Sequence, residues 1–260
     1  MKFIIDCESG LSALESVSNG FDCSKSELVS ALLDFDVDYI FENDPPSCSC
    51  EELIANEIIS RLGKPKPIHA IMWFHCTRTI ESNSFDDGLL PLKQSLPSVW
   101  GMLEYLAPSK VVQQNLAKMR ADGVDNHHYT SKVANSIDDG IYGFQVRELA
   151  IRKNAGLHDY LNLAEIVEDI LNGYKSEFGT DLVIHYKNKL IPKIVKFVST
   201  KKTELKELEC ALGYLYTFVR GEKPDSSSWG FISMDGEMVP PSDIVKIESF
   251  PTSNDMGNYL

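Results

Sequence analysis

The chain has 260 residues, enough to bury a substantial core as one elaborated domain or one domain with a small lobe. Its 43% hydrophobic and 24% charged residues match an ordinary globular protein, and without a run of about 18 apolar residues no transmembrane helix and no membrane partner are expected. The formal net charge of -13 is concentrated at one end: residues 1–63 hold 13 acidic against 3 basic side chains, and the remainder 25 against 22. That asymmetry predicts an acidic N-terminal accessory lobe over residues 1–66, followed by a domain over residues 67–260.

The first residues, Met-Lys-Phe-Ile-Ile-Asp, form too short an apolar patch for a signal peptide. The six cysteines lack framework spacing and read as reduced thiols, so a cytoplasmic location is expected. Ser24 with Glu27 forms a capping box before a helix through "SELVSALLDF". "VDYIFEN" reads as a strand. Ser49 with Glu52 opens a second helix, which Gly63 ends, and "GKPKP" reads as a connector. "IHAIMWF" has the length and composition of a buried strand. A turn at Asp87-Gly88 follows, then helices around "SVWGMLEYL" and from Ser109 through "VVQQNLAKMRA". "GIYGFQVRELAI" reads as a second strand, and Asn162 with Glu165 as the start of the helix "LAEIVEDILNGY". "DLVIHY" and "LIPKIVKFV" flank Lys187-Asn188-Lys189 as a hairpin. The long helix "TELKELECALGYLYTFV" precedes the last strands, "WGFIS" and "DIVKIESF", with a turn at Asp235-Gly236. Short strands interspersed with helices predict the α+β class.

The polar groups at the end of "IHAIMWF" raise the functional question, because burying them unpartnered is costly. Trp73-Phe74-His75-Cys76-Thr77-Arg78, with Gly88-Leu89 some ten residues on, resembles the first signature of the ADP-ribosyltransferase superfamily. The branch is the one that includes poly-ADP-ribose polymerases and diphtheria toxin. Gly140-Ile141-Tyr142 resembles its second signature, and Glu237, after the Asp235-Gly236 turn and before an apolar strand, its third. The departure is Cys76, where that family usually has glycine.

The resemblance implies an ADP-ribosyltransferase-like mixed sheet with flanking helices and a helical N-terminal lobe. It implies NAD as co-substrate, and transfer of ADP-ribose to a macromolecular acceptor, nucleic acid (RNA included) or protein. Glu237 would stabilise the oxocarbenium-like transition state through the ribose hydroxyls. Tyr142 would stack on the nicotinamide ring. His75 and Thr77 would hydrogen-bond the dinucleotide, Arg78 would contact the diphosphate, and Asp235 would help select the acceptor. Size and the absence of a secretion signal resemble intracellular toxins of toxin–antitoxin or phage-defence systems, which implies a neutralising antitoxin as partner. The competing readings are an NAD glycohydrolase and a catalytically inactive binding module.

Seven lysines lie between Lys187 and Lys206, with Glu204 the one acid. Lys187 and Lys189 open this run as candidate acceptor contacts, and it reads either as a phosphate-lining groove or as a solvated hairpin face. Two other patterns are weaker. Cys48-Ser49-Cys50 and His127-His128 each lack the further ligands that a metal site needs, and no metal is expected. No helix N-terminus follows Cys76 closely enough to make it a thiol nucleophile.

Overall fold

A computed structural model describes residues 2–44, 46–134, 140–152 and 158–250. The strands are β1 (Phe3–Ile5), β2 (Ile68–Thr79), β3 (Tyr142–Phe144), β4 (Ile191–Ser199), β5 (Phe231–Ser233) and β6 (Ile244–Ser249). Their order is β5-β3-β2-β4-β6, with β1 beside β2. β1 runs parallel to β2, and β3 runs antiparallel to it with Phe74 opposite Phe144. The first helices are α1 (Gly10–Phe21), α2 (Lys25–Leu33), α3 (Val37–Asn43), α4 (Cys50–Leu62), α5 (Leu92–Tyr105) and α6 (Lys110–Asp122). They are followed by α7 (His127–Ala134), α8 (Arg147–Ile151), α9 (Glu165–Phe178), α10 (Val183–Lys189) and α11 (Leu205–Val219). The chain is a mixed α and β protein.

Two compact units share these elements. The first comprises Met1–Phe74, Gly143–Ile151 and Lys196–Ile232, so the N-terminal residues pack with later segments of the chain. Its centre is α11, buried continuously from Glu207 to Thr217. It is buried on successive turns because α1, α2 and α4 pack against it. Gly213 admits the carbonyl of Ser227, where a β-carbon would collide with that oxygen.

The second unit comprises His75–Tyr142, Arg152–Val195 and Ser233–Leu260. Its core joins Trp100 and Leu103 of α5, Leu116 and Met119 of α6, and Ile170 and Tyr174 of α9. Buried hydroxyls there are paired: Tyr186 donates to the Leu103 carbonyl at 2.7 Å.

Several helices start where their caps predict. Ser24 and Glu27 close a reciprocal capping box on α2, Ser49 caps α4, and Ser109 caps α6. Other expectations need correction. "VDYIFEN" is the helix α3, because Asp36 caps it through the Tyr39 amide at 3.0 Å and Val37, Ile40 and Phe41 recur at helical spacing. "DLVIHY" is no hairpin strand: α10 occupies Val183–Lys189, and buried Leu182, Tyr186 and Leu190 recur every four residues. The strand expected through "GIYGFQVRELAI" stops at Phe144. Beyond it the Gln145 amide bonds the Gly230 carbonyl, the Arg147 amide bonds that of Cys7, and α8 begins.

Asn162 does not open α9, whose cap is Ala164. Its carbonyl is held by Arg78 at 2.6 Å, which keeps it out of the helical ladder. Glu237 is followed by Val239, bridged to Leu89, and then by a 3-10 turn at Pro241–Asp243, so β6 begins only at Ile244. Adjacent Pro240 and Pro241 cannot donate to a ladder, which accounts for the delay.

Candidate functional site

Within the second unit the end of β2 forms one wall of a cavity of about 520 Å³. That volume lies in the range of small-molecule sites. His75, Cys76, Thr77 and Arg78 all line it. The lining also includes Gly88, Leu89, Ile141, Tyr160 and Glu165. A second cavity of about 310 Å³ is lined by Tyr142 and Lys132, and shares Leu92, Gly140, Tyr160, Glu165 and Ile166 with the first.

His75 Nδ1 lies 2.8 Å from the Tyr142 carbonyl oxygen. A carbonyl only accepts, so Nδ1 carries the proton and the neutral ring presents its Nε2 lone pair elsewhere. Desolvation pushes the His75 pKa down and the bond to Tyr142 partly opposes it, so the neutral ring is favoured. The histidine and tyrosine singled out in the sequence are thereby joined side chain to backbone. Tyr142 as a whole residue is 45% exposed.

Arg78 is not a surface side chain, being 8% exposed. Its Nε donates to the Leu190 carbonyl at 2.8 Å, and its Nη1 to the carbonyls of Asn162 at 2.6 Å and Leu161 at 3.3 Å. These bonds tie β2 to the start of β4 and to the segment leading into α9. Lys193, 3% exposed, performs the same task for the loop after β2, donating to the carbonyls of Glu81 at 2.9 Å and Asn83 at 2.6 Å. That loop holds Phe85 at a positive φ of 58°, which costs a bulky residue roughly 1–3 kcal/mol. Asn83 Oδ1 accepts from the Phe85 amide, and Lys193 sits 5.8 Å from the Phe85 ring centroid. Gly88, at φ 81°, completes the loop against the Val239 carbonyl, where a β-carbon would collide.

Glu237 and Asp235 lie in an exposed turn and do not line either cavity. The turn is nevertheless bonded to cavity residues: the Met234 amide donates to the Ile141 carbonyl, and Val239 pairs with Leu89. Lys187 and Lys189 sit on α10, the latter exposed. The remaining lysines of that run do not form one phosphate-lining groove. Lys193 and Lys196 are buried, Lys202 donates to the Phe231 carbonyl, and Lys206 pairs with Glu51.

Three cavity residues escaped the sequence reading. Tyr160 donates its hydroxyl to Glu165, and burial followed by that carboxylate raises its pKa well above the usual tyrosine value. Lys132 reaches Glu165 at 3.0 Å and Asp169 at 2.7 Å. Desolvation works against its ammonium, but the two carboxylates outweigh that and raise its pKa. In the sequence Glu165 carried only a helix-start signal, and neither Tyr160 nor Lys132 belongs to a motif.

Elsewhere, Cys50 heads α4, its thiol pushed up to about 11 by burial and then by Asp225, so it is unreactive at neutral pH. His127 and His128 stand edge to face at 5.8 Å. Among the described residues no three His, Cys, Asp or Glu side chains gather as metal ligands. No protein-family model, no curated protein and no solved structure matches the chain.

Proposed function

We propose that the protein is an ADP-ribosyltransferase that cleaves the nicotinamide–ribose bond of NAD and transfers ADP-ribose to a macromolecule. The observation that carries this reading is the His75–Tyr142 link at the wall of a cavity of ligand size. Two signature residues separated by 67 positions meet there: His75 shares its lining with Thr77, Gly88 and Leu89, and Tyr142 lines the second cavity, which has wall residues in common with the first. Neutral His75 and the Thr77 hydroxyl supply hydrogen bonds for a ribose or a carboxamide, and Tyr142 offers its ring for stacking. Arg78 acts by fixing the loops around the ligand, since its Nε and Nη1 already hold carbonyls. Glu237 is the carboxylate that the family resemblance assigns to the ribose hydroxyls, and Asp235 the acceptor-selecting residue. Lys187 and Lys189 are the basic residues assigned to the acceptor. An intracellular toxin held in check by an antitoxin remains the biological setting of this proposal.

The test uses NAD labelled separately in its nicotinamide and adenylate parts, incubated with the protein and cell extract. Nicotinamide release should accompany adenylate label on protein or on nucleic acid, and separating the two identifies the acceptor. Free ADP-ribose alone would mark a glycohydrolase. No nicotinamide release and no NAD binding would overturn the reading. His75→Ala should weaken NAD binding by about tenfold through the lost hydrogen bonds.

A further inference from the structure

N-glycoside cleavage develops positive charge on the ribose, which a carboxylate on the cavity wall can stabilise. Glu165 is the carboxylate that lines both cavities, on the wall they share with Tyr160. It heads α9, and the backbone before it is fixed at Leu161 and Asn162 by Arg78. Lys132 and the Tyr160 hydroxyl hold its carboxylate from two sides. Lys132 is shared with Asp169, so one cation serves two carboxylates and the group of three retains a net negative charge. A carboxylate gripped by an ammonium and a hydroxyl donor is held in one orientation, which suits it to meet developing positive charge.

We propose that Glu165 is a catalytic carboxylate of this site, facing the ribose of an N-glycosyl pyridinium substrate at the bond that breaks. The proposal rests on the NAD reading above. In the step, the bond between C1′ and the pyridinium nitrogen breaks and its electron pair neutralises the departing nicotinamide. The acceptor's oxygen or nitrogen forms the new bond to C1′, and its proton passes to water. Glu165 stabilises the cationic ribosyl centre throughout and gains no proton. Tyr160 and Lys132 are positioning residues that act through it.

The experiment compares nicotinamide release and NAD affinity for the wild type, Glu165→Gln, Tyr160→Phe and Glu237→Gln, with thermal melts as a check on folding. Glu165→Gln should lower kcat by about a hundredfold or more while leaving the Kd for NAD within about threefold, the pattern of an interaction made in the transition state. Tyr160→Phe should lower kcat about tenfold, and it serves as the decisive variant if Glu165→Gln fails to fold. A Glu165→Gln enzyme within twofold of wild-type kcat overturns the assignment and leaves the NAD reading standing. So does a Tyr160→Phe enzyme of wild-type kcat where Glu165→Gln is unfolded. A wild-type protein that neither binds NAD nor releases nicotinamide overturns both. Glu237→Gln shows whether the exposed turn contributes in addition.

Discussion

Both compact units hold buried cations, but the partners differ. In the first unit Lys196, 5% exposed, is held by Asp6 at 2.7 Å and Glu8 at 2.6 Å. In the second, Arg78 and Lys193 donate to main-chain carbonyls of the loops that wall the cavity. A carboxylate pair neutralises its cation and fastens side chains. A carbonyl set fastens backbone and leaves the positive charge in place, where it meets the more distant carboxylates of Asp159 and Glu81. The first arrangement serves stability, and the second shapes a site.

Replacing Lys196 by Met should break the first arrangement most severely. It leaves Asp6 and Glu8 facing an apolar stem, and breaking such a buried set costs roughly 3–5 kcal/mol. Urea unfolding would read this as a lower midpoint with an unchanged slope. A loss below about 1 kcal/mol would show that the carboxylates find other partners. Arg78→Lys tests the second arrangement. One ammonium cannot reproduce the fork that spans Leu190 and Asn162, so a loss of about 2 kcal/mol is expected. On the proposed NAD reading, affinity for NAD should fall by more than that stability change predicts, because the loops loosen; equal affinity would deny Arg78 its role in shaping the cavity.

The same contrast explains what the sequence reveals. Caps are local, and Ser24, Ser49 and Ser109 therefore announce their helices. The β2 strand is equally legible, because the five consecutive apolar residues Ala70 to Phe74 need burial. Segments 37–43 and 183–189 are apolar enough for either state, and long-range packing decides them. The Val37 amide donates to the Tyr216 hydroxyl and the Tyr186 hydroxyl to the Leu103 carbonyl, partners that sequence spacing cannot show. His75, Thr77 and Tyr142 are legible in the candidate site because they sit in motifs on strands. The cluster of Lys132, Tyr160 and Glu165 is not, since its members come from α7, a loop and α9 and meet only through the fold. Buried Lys193 and Lys196 read as surface charge for the same reason: their partners lie more than 100 residues away.

The smallest expected effect concerns His75, whose partner is also a carbonyl but whose charge can be lost. Its folded pKa lies below the ordinary value of 6.5, chiefly through desolvation. Above 6.5 the ring is neutral in both folded and unfolded chains, and its contribution is complete. As pH falls below 6.5 the unfolded chain binds a proton that the folded ring declines, so stability decreases until the folded value is reached. The slope from this one group cannot exceed about 1.4 kcal/mol per pH unit. Asparagine at position 75 can donate an amide hydrogen toward Tyr142 but cannot titrate. His75→Asn should therefore keep its stability near neutrality and flatten the acid limb just below pH 6.5. Urea midpoints along that limb, taken as the difference between wild type and variant, isolate the contribution. Parallel curves would mean that the folded ring gains its proton without cost, and desolvation would then not hold His75 in the neutral form.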